Sequence, residues 1–314
     1  MKPIILATDG SPYAAEATLE AFRLARTLAA PLVAIAVASV VVPPYAYDGF
    51  AEAAEKLLEA EDERIADILA ETLAAAEAAG LACETVFASG PVVREICELA
   101  RARSARLIVV GAHGWGPILR VIHGSVSRGL AEDAPCAVLV VRHSASSHEG
   151  GTMKPILLAT DGSPSAEAAT FEAIELAQAF DAPLLVASVA HVVLPAYSGY
   201  YGYGEIADDL HKAELKHVGE VLATTKARVE EANVPCETIA LDGIAAEEIT
   251  RVARERHARL VVVGAHGWGR VGRMIHGSVS TAVLHDAPCP VLVVHGSAEP
   301  LVEAAPAPLA AVAH

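Results

Sequence analysis

Short apolar runs alternate with longer amphipathic stretches along this chain, and the whole alternation occurs twice. Residues 3–8 form a continuous apolar run ending at Asp9-Gly10, as expected of a strand buried on both faces. Ser11 followed by Pro12 predicts a helix start, with serine as the N-cap and proline in the first helical position. The apolar stripe expected on that helix is Ala15, Leu19, Phe22, Ala25 and Leu28. Residues 32–39 give a second apolar run, and residues 42–49, rich in Pro and Tyr, read as a loop. A long helical pattern runs from there to about residue 79, with Leu58, Ile65, Leu69 and Leu73 on one face. A strand over 83–88, a helix over 92–101, a strand over 106–110, a short helix from Ser125 and a last strand over Ala137–Val141 complete the unit.

The second unit repeats the first. MKPIILATDGSP at 1–12 returns as MKPILLATDGSP at 153–164, GAHGWG at 111–116 returns at 264–269, and IHGSVS at 122–127 returns at 275–280. The offset is 152 residues at the start and 153 later, so the copies differ in length by one residue. A period this long marks a duplicated domain rather than a solenoid. The expected division is a first domain over 1–143, a small polar linker over 144–152 (SASSHEGGT), a second domain over 153–296, and an Ala/Pro-rich tail over 297–314 without periodicity, read as disordered or loosely attached.

Strands alternating with helices predict an α/β fold of two tandem doubly wound domains. Each is a five-stranded parallel sheet with helices on both faces, Rossmann-like or flavodoxin-like. Such sheets bind ligands at the carboxyl ends of their strands, where the strand order reverses. Asp9 and Gly111 stand at such ends, as do Asp161 and Gly264. The apolar last strands, Ala137–Val141 and Val291–Val294, should be sheet edges, with Pro290 tolerated at a strand start, and exposed apolar edges invite pairing.

Composition narrows the function. At 53 % hydrophobic the chain is far too apolar for disorder, and with 4 % aromatics its core must be Val, Ile, Leu and Ala. No stretch reaches the ~18–20 uninterrupted apolar residues of a membrane span, and the N-terminal apolar run is too short for a signal-peptide core. Five scattered cysteines with no Cys-x-x-Cys pair fit a reducing cytoplasm. The net charge of −16 argues against a nucleic-acid partner and against anionic lipid. It leaves room for an anionic nucleotide, which backbone N–H groups can hold inside an acidic protein.

The glycines supply that possibility. Gly111-x-x-Gly114, nine residues, then Gly124-Ser125-Val126-Ser127 recurs as Gly264-x-x-Gly267, nine residues, then Gly277-Ser278-Val279-Ser280. Glycine lets a ligand approach the backbone closely, and the second cluster opens a helix whose free N–H groups can receive phosphate. It is neither a Walker A loop nor a G-x-G-x-x-G fingerprint.

With Thr-Asp-Gly-Ser after the first strand, this G-x2-G-x9-G-S pattern resembles the universal stress protein family in its tandem two-domain form, over residues 1–142 and 153–295. Members that carry this loop are ATP binders. The resemblance implies that Asp9 and Asp161 contact the adenosine end. It implies that Val37 and Val189 line the adenine pocket, and that Val110 and Val263 lead into the loop. Gly111, Gly114, Gly124, Ser125, Val126 and Ser127 then wrap ribose and phosphates, as do Gly264, Gly267, Gly277, Ser278, Val279 and Ser280. The expected ligand is ATP at two sites, with Mg as an optional companion. Family dimers pair through the last strand, which implies a pseudo-dimer of the two copies within one chain, open to further association as a homodimer.

Other residues carry less. His113, His123, His266 and His276 lack the converging ligands of a metal site. Arg120 and Arg273 fit a terminal phosphate or a solvated surface; Trp115 and Trp268 fit interface packing better than stacking. Tyr197, Tyr200, Tyr201 and Tyr203, with Tyr45 and Tyr47 as partial counterparts, suit a lid or an ordinary loop. The leading reading is an ATP-binding regulator in the stress response with an unidentified protein partner, and at most a slow ATPase. The second is an adenylating enzyme of the related adenine-nucleotide α-hydrolase type, for which His123 or His276 is the only candidate base. The third is a nucleotide-free interaction module.

Overall fold

The structure, a computed structural model, describes residues 1–39, 50–112, 125–142, 154–190, 203–265 and 278–295. The linker and the tail expected from the sequence lie outside them. The first copy contributes β1 (Ile4–Ala7), α1 (Pro12–Thr27), β2 (Leu32–Ala38), α2 (Phe50–Ala78), β3 (Cys83–Ser89), α3 (Val92–Ala102), β4 (Leu107–Gly111), α4 (Ser125–Asp133) and β5 (Ala137–Val141). The second contributes β6 (Ile156–Ala159), α5 (Pro164–Phe180), β7 (Leu184–Ala190), α6 (Tyr203–Glu231), β8 (Cys236–Asp242), α7 (Ala245–Glu255), β9 (Leu260–Gly264), α8 (Ser278–Asp286) and β10 (Val291–Val294).

All ten strands join one sheet in the order β3-β2-β1-β4-β5-β10-β9-β6-β7-β8. Neighbours within each copy are parallel, whereas β5 and β10 pair antiparallel through Val138↔Val293, Leu139↔Leu292 and Val140↔Val291. Leu139 and Leu292 are equivalent positions, so a local two-fold axis passes between them. The last strands do end the strand order of their own copies. They are not edges of the molecule's sheet, however: pairing satisfies their open N–H and C=O groups, and the edges are β3 and β8.

Helices cover both faces. One core lies under α1, α2, α5 and α6 and includes Ile4, Leu6 and Val109; the opposite core lies under α3, α4, α7 and α8 and includes Ile5, Ile35 and Ile108. Each core runs through both copies without a break.

Local chemistry sets the helix starts as the sequence predicts. Ser11 is extended (φ −71°, ψ 160°), its Oγ accepts from Ala14 N–H at 3.2 Å, and Pro12 follows; Ser163 repeats this with Ala166 N–H at 3.3 Å. The expected stripe on α1 needs correction. The buried face is Ala14, Ala17, Ala21, Phe22, Leu24 and Ala25, while Ala15 is exposed and Leu19 is 66 % exposed. Small residues face the sheet because they let the helix axis come close to it, and close packing fills the space that larger side chains would take. On α2 the buried face is Ile65, Ile68, Leu69, Thr72 and Ala76, and Leu58 is exposed.

One pair of positions records how the copies diverged. A Cβ at Gly129 on α4 would lie 2.9 Å from Val93 Cγ2 on α3. The equivalent positions in the second copy are Ala282 and Ala246, so a larger helix residue there meets a smaller neighbour. Gly129→Ala alone should cost about 1–3 kcal/mol by overpacking, and Gly129→Ala with Val93→Ala should recover most of it. Urea melts of the singles and the double decide this; strictly additive losses would show that the two positions are not in contact.

Candidate functional site

In the first copy β1 and β4 are neighbours whose chains leave toward opposite faces, β1 into α1 and β4 toward α4. This reversal opens a crevice at the strands' carboxyl ends. β6 and β9 form the equivalent crevice in the second copy. Because β5 and β10 are antiparallel, the two crevices open at opposite ends of the sheet.

The Thr-Asp-Gly-Ser turn is built by local hydrogen bonds. Thr8 N–H donates to Ile35 O (3.0 Å), Asp9 Oδ1 accepts from Ser11 N–H (2.9 Å), and Gly10 adopts φ +73°. Thr160, Asp161, Gly162 and Ser163 repeat the arrangement at 2.9 Å, 3.0 Å and φ +74°. Any other residue at Gly10 would be strained, and its Cβ would meet Ile68 Cγ1 at 2.8 Å. Both aspartates are half-buried at the crevice floor, with one carboxylate oxygen engaged by the turn.

Gly111 and Gly264 end β4 and β9, and close approach of another backbone requires them. A Cβ on Gly111 would lie 2.9 Å from both C and O of Tyr13; one on Gly264 would lie 2.8 Å from C and Oγ of Ser165. Their lack of a side chain therefore lets α1 and α5 start hard against the sheet. Val110 and Val263 are buried in the core, whereas Val37 and Val189, one residue before the ends of β2 and β7, are only half-buried.

The far side of the loop is the amino end of α4 and α8. Ser125 is exposed there and Val126 half-buried; Ser278 opens α8 and Val279 is exposed. Ser127 and Ser280 are buried, and their hydroxyls donate to Ala112 O and Ala265 O, each at 3.3 Å. The sequence offered both hydroxyls to a ligand; the structure uses them to tie each helix start back to the end of its strand. Gly114, Gly124, Gly267 and Gly277 lie outside the described residues, as do His113, His123, His266, His276, Arg120, Arg273, Trp115 and Trp268.

Some residues near the crevices gave no signal in the sequence. Arg64, one of many charges on α2, pairs with both oxygens of Glu61 (2.8 and 2.9 Å) and reaches Asp9 O at 3.3 Å. Its guanidinium holds the Glu61 carboxyl below the usual range. His217 stands at the equivalent position in the second copy and is exposed. That copy has its own pair, His211 with Asp242 at 3.4 Å, where the first copy has Leu58 and Ser89. The two crevices are thus alike in their floors and different in their rims. Among the described residues no group of three or more His, Cys, Asp or Glu side chains is placed to hold a metal ion, and no helix is long and apolar enough to cross a membrane.

The family model for the universal stress protein family matches residues 1–142 and again 152–295. A universal stress protein of Mycolicibacterium smegmatis is 31 % identical over 245 residues, 77 % of each chain. One of Mycobacterium tuberculosis is 32 % identical over 200 residues, 62 % of this chain and 64 % of its own length. In that last alignment the chain therefore spans under two thirds of its relative. A universal stress protein from Archaeoglobus fulgidus superposes with a TM-score of 0.63 at 20 % identity, covering 94 % of this chain and 98 % of that one, which speaks for the fold.

Proposed function

Because the chain belongs to the universal stress protein family, we propose that each copy binds ATP in its carboxyl-end crevice and that the protein acts as a nucleotide-dependent regulator in the cytoplasm. The observation that carries this is the doubled crevice itself. In both copies a half-buried aspartate stands on one side and an open helix start on the other, flanking the G-x2-G-x9-G-S run. The half-buried Val37 and Val189 fit the apolar face of a base, and the exposed starts of α4 and α8 fit phosphate. Asp9 and Asp161 take the sugar end. The domains proposed are 1–143 and 153–296, and a protein partner reads the occupied state.

The chain's only two tryptophans, Trp115 and Trp268, stand inside the two loops, so intrinsic fluorescence should report ATP. Calorimetry on the wild type should count two ATP per chain. Gly124→Ala/Ser125→Ala and Gly277→Ala/Ser278→Ala should each leave one. No heat and no fluorescence change with ATP, with or without Mg, would overturn the proposal.

A further inference from the structure

The two crevices open at opposite ends of the sheet, yet a closed circuit of hydrogen bonds joins them across the β5–β10 seam. Ala112, where the first loop leaves its strand, donates from N–H to Val141 O (2.8 Å) and accepts from Ser127 Oγ (3.3 Å). Arg142, directly after Val141, crosses the seam and donates from Nη2 to Leu284 O on α8. Four residues earlier on that helix, Ser280 Oγ donates to Ala265 O (3.3 Å). Ala265, the base of the second loop, donates from N–H to Val294 O (2.8 Å). His295, directly after Val294, crosses back, with Nε2 3.1 Å from Ala131 O on α4, the helix that carries Ser127.

The circuit therefore runs through both loop bases, both loop-bearing helices and both last strands. Arg142 and His295 are equivalent positions, as are Leu284 and Ala131, so one contact is made twice about the local axis with different donors. Ala131 and Leu284 are buried, and both donors are half-buried. Burial lowers the Arg142 pKa; it places the contact in a medium where a charge-assisted hydrogen bond is strong. Each loop-bearing helix is only 9 residues long, so a displacement at its start reaches its last turn, where the other copy holds it.

We propose that this brace couples the two nucleotide sites, so that filling one site orders the helix that bounds the other. The inference rests on the ATP reading above. Coupling of this kind is reciprocal and typically amounts to about 5-fold or more in affinity, and ordering by the first ligand makes its sign positive.

The test uses the full chain carrying Gly124→Ala/Ser125→Ala, which leaves only the second site. Calorimetry establishes that ATP binds there, and hydrogen exchange reads α4 in the other copy. ATP should slow exchange of the amides of residues 128–133 several-fold. Adding Arg142→Met and His295→Leu should abolish that slowing while ATP still binds. Unchanged exchange in α4 despite bound ATP would overturn the coupling and leave the nucleotide reading standing. So would slowing that survives loss of both donors. If no ATP binds the wild type either, the nucleotide reading fails and the coupling with it. The first arm needs no seam substitution, so it decides the matter even if the double replacement fails to fold.

Discussion

Arg106→Met is expected to lower folding stability by about 3 kcal/mol near pH 7, the low end for removing one partner of a buried ion pair. Arg106 lies at the entry of β4 and reaches across the seam to α5, with Nη1 2.7 Å from Glu175 Oε1 and Nη2 3.1 Å from Glu172 Oε2. Arg106 and Glu172 are each only 12 % exposed. Burial pushes the Glu172 carboxyl up, and Arg106 offsets this in part; without the arginine the carboxyl moves higher still. When the folded-state pKa exceeds the unfolded one, the folded state holds the extra proton between them, and stability falls as pH rises through that window. The deficit of the variant should therefore shrink on going from about pH 7 to about pH 5, because protonation removes the stranded charge. Urea melts across that range check it, and a deficit that does not change with pH would assign the loss to packing. The equivalent Arg259 meets a different surrounding: Glu20 at 3.9 Å, the Phe180 ring at 3.6 Å, and Arg23 where the other side has Glu175. Arg259→Met should cost clearly less.

The second large effect is expected at Gly111 and Gly264. An added methyl would press on backbone atoms of the first turn of α1 or α5, and backbone cannot swing aside as a flexible side chain can. Relief requires the helix to shift, and the aspartate turn that leads into it must follow. Gly111→Ala should cost about 1–3 kcal/mol and weaken ATP binding chiefly in the first copy; Gly264→Ala should do the same in the second. Denaturation curves and single-site titrations measure both. Wild-type stability in either variant would mean that the helix can slide on the sheet without penalty.

The fold was largely legible in the sequence because its central strands are continuous apolar runs and α1 and α5 start at Ser-Pro caps, signals that depend on few neighbours. The stripe on α1 was less so. A three-to-four-residue spacing that started at Ala15 put Leu19 inward, whereas the sheet accepts Ala14, Ala17 and Ala21, and only the distance between helix and sheet decides between them. At the candidate site the sequence pointed to Asp9, Asp161, Gly111 and Gly264, which the structure brings to the strand ends, but not to the direction of the hydroxyls: Ser125 and Ser127 are two positions apart, one exposed and one donating inward. Arg64, Arg142 and His295 were silent because each acts on a backbone carbonyl far away in sequence, and a carbonyl carries no residue type for a pattern to catch.

The central placement of β5 has a consequence for biosynthesis. Helices α1 and α4 of its own copy cover its side-chain faces, but its open N–H and C=O groups leave the ribosome one whole copy ahead of β10, the strand that will pair with them. At about 5–20 residues per second, the ~150 residues still to come take roughly 8–30 s. For that interval the nascent chain exposes a sticky ribbon that the finished protein hides at its centre, and any product that stops short of β10 keeps it exposed.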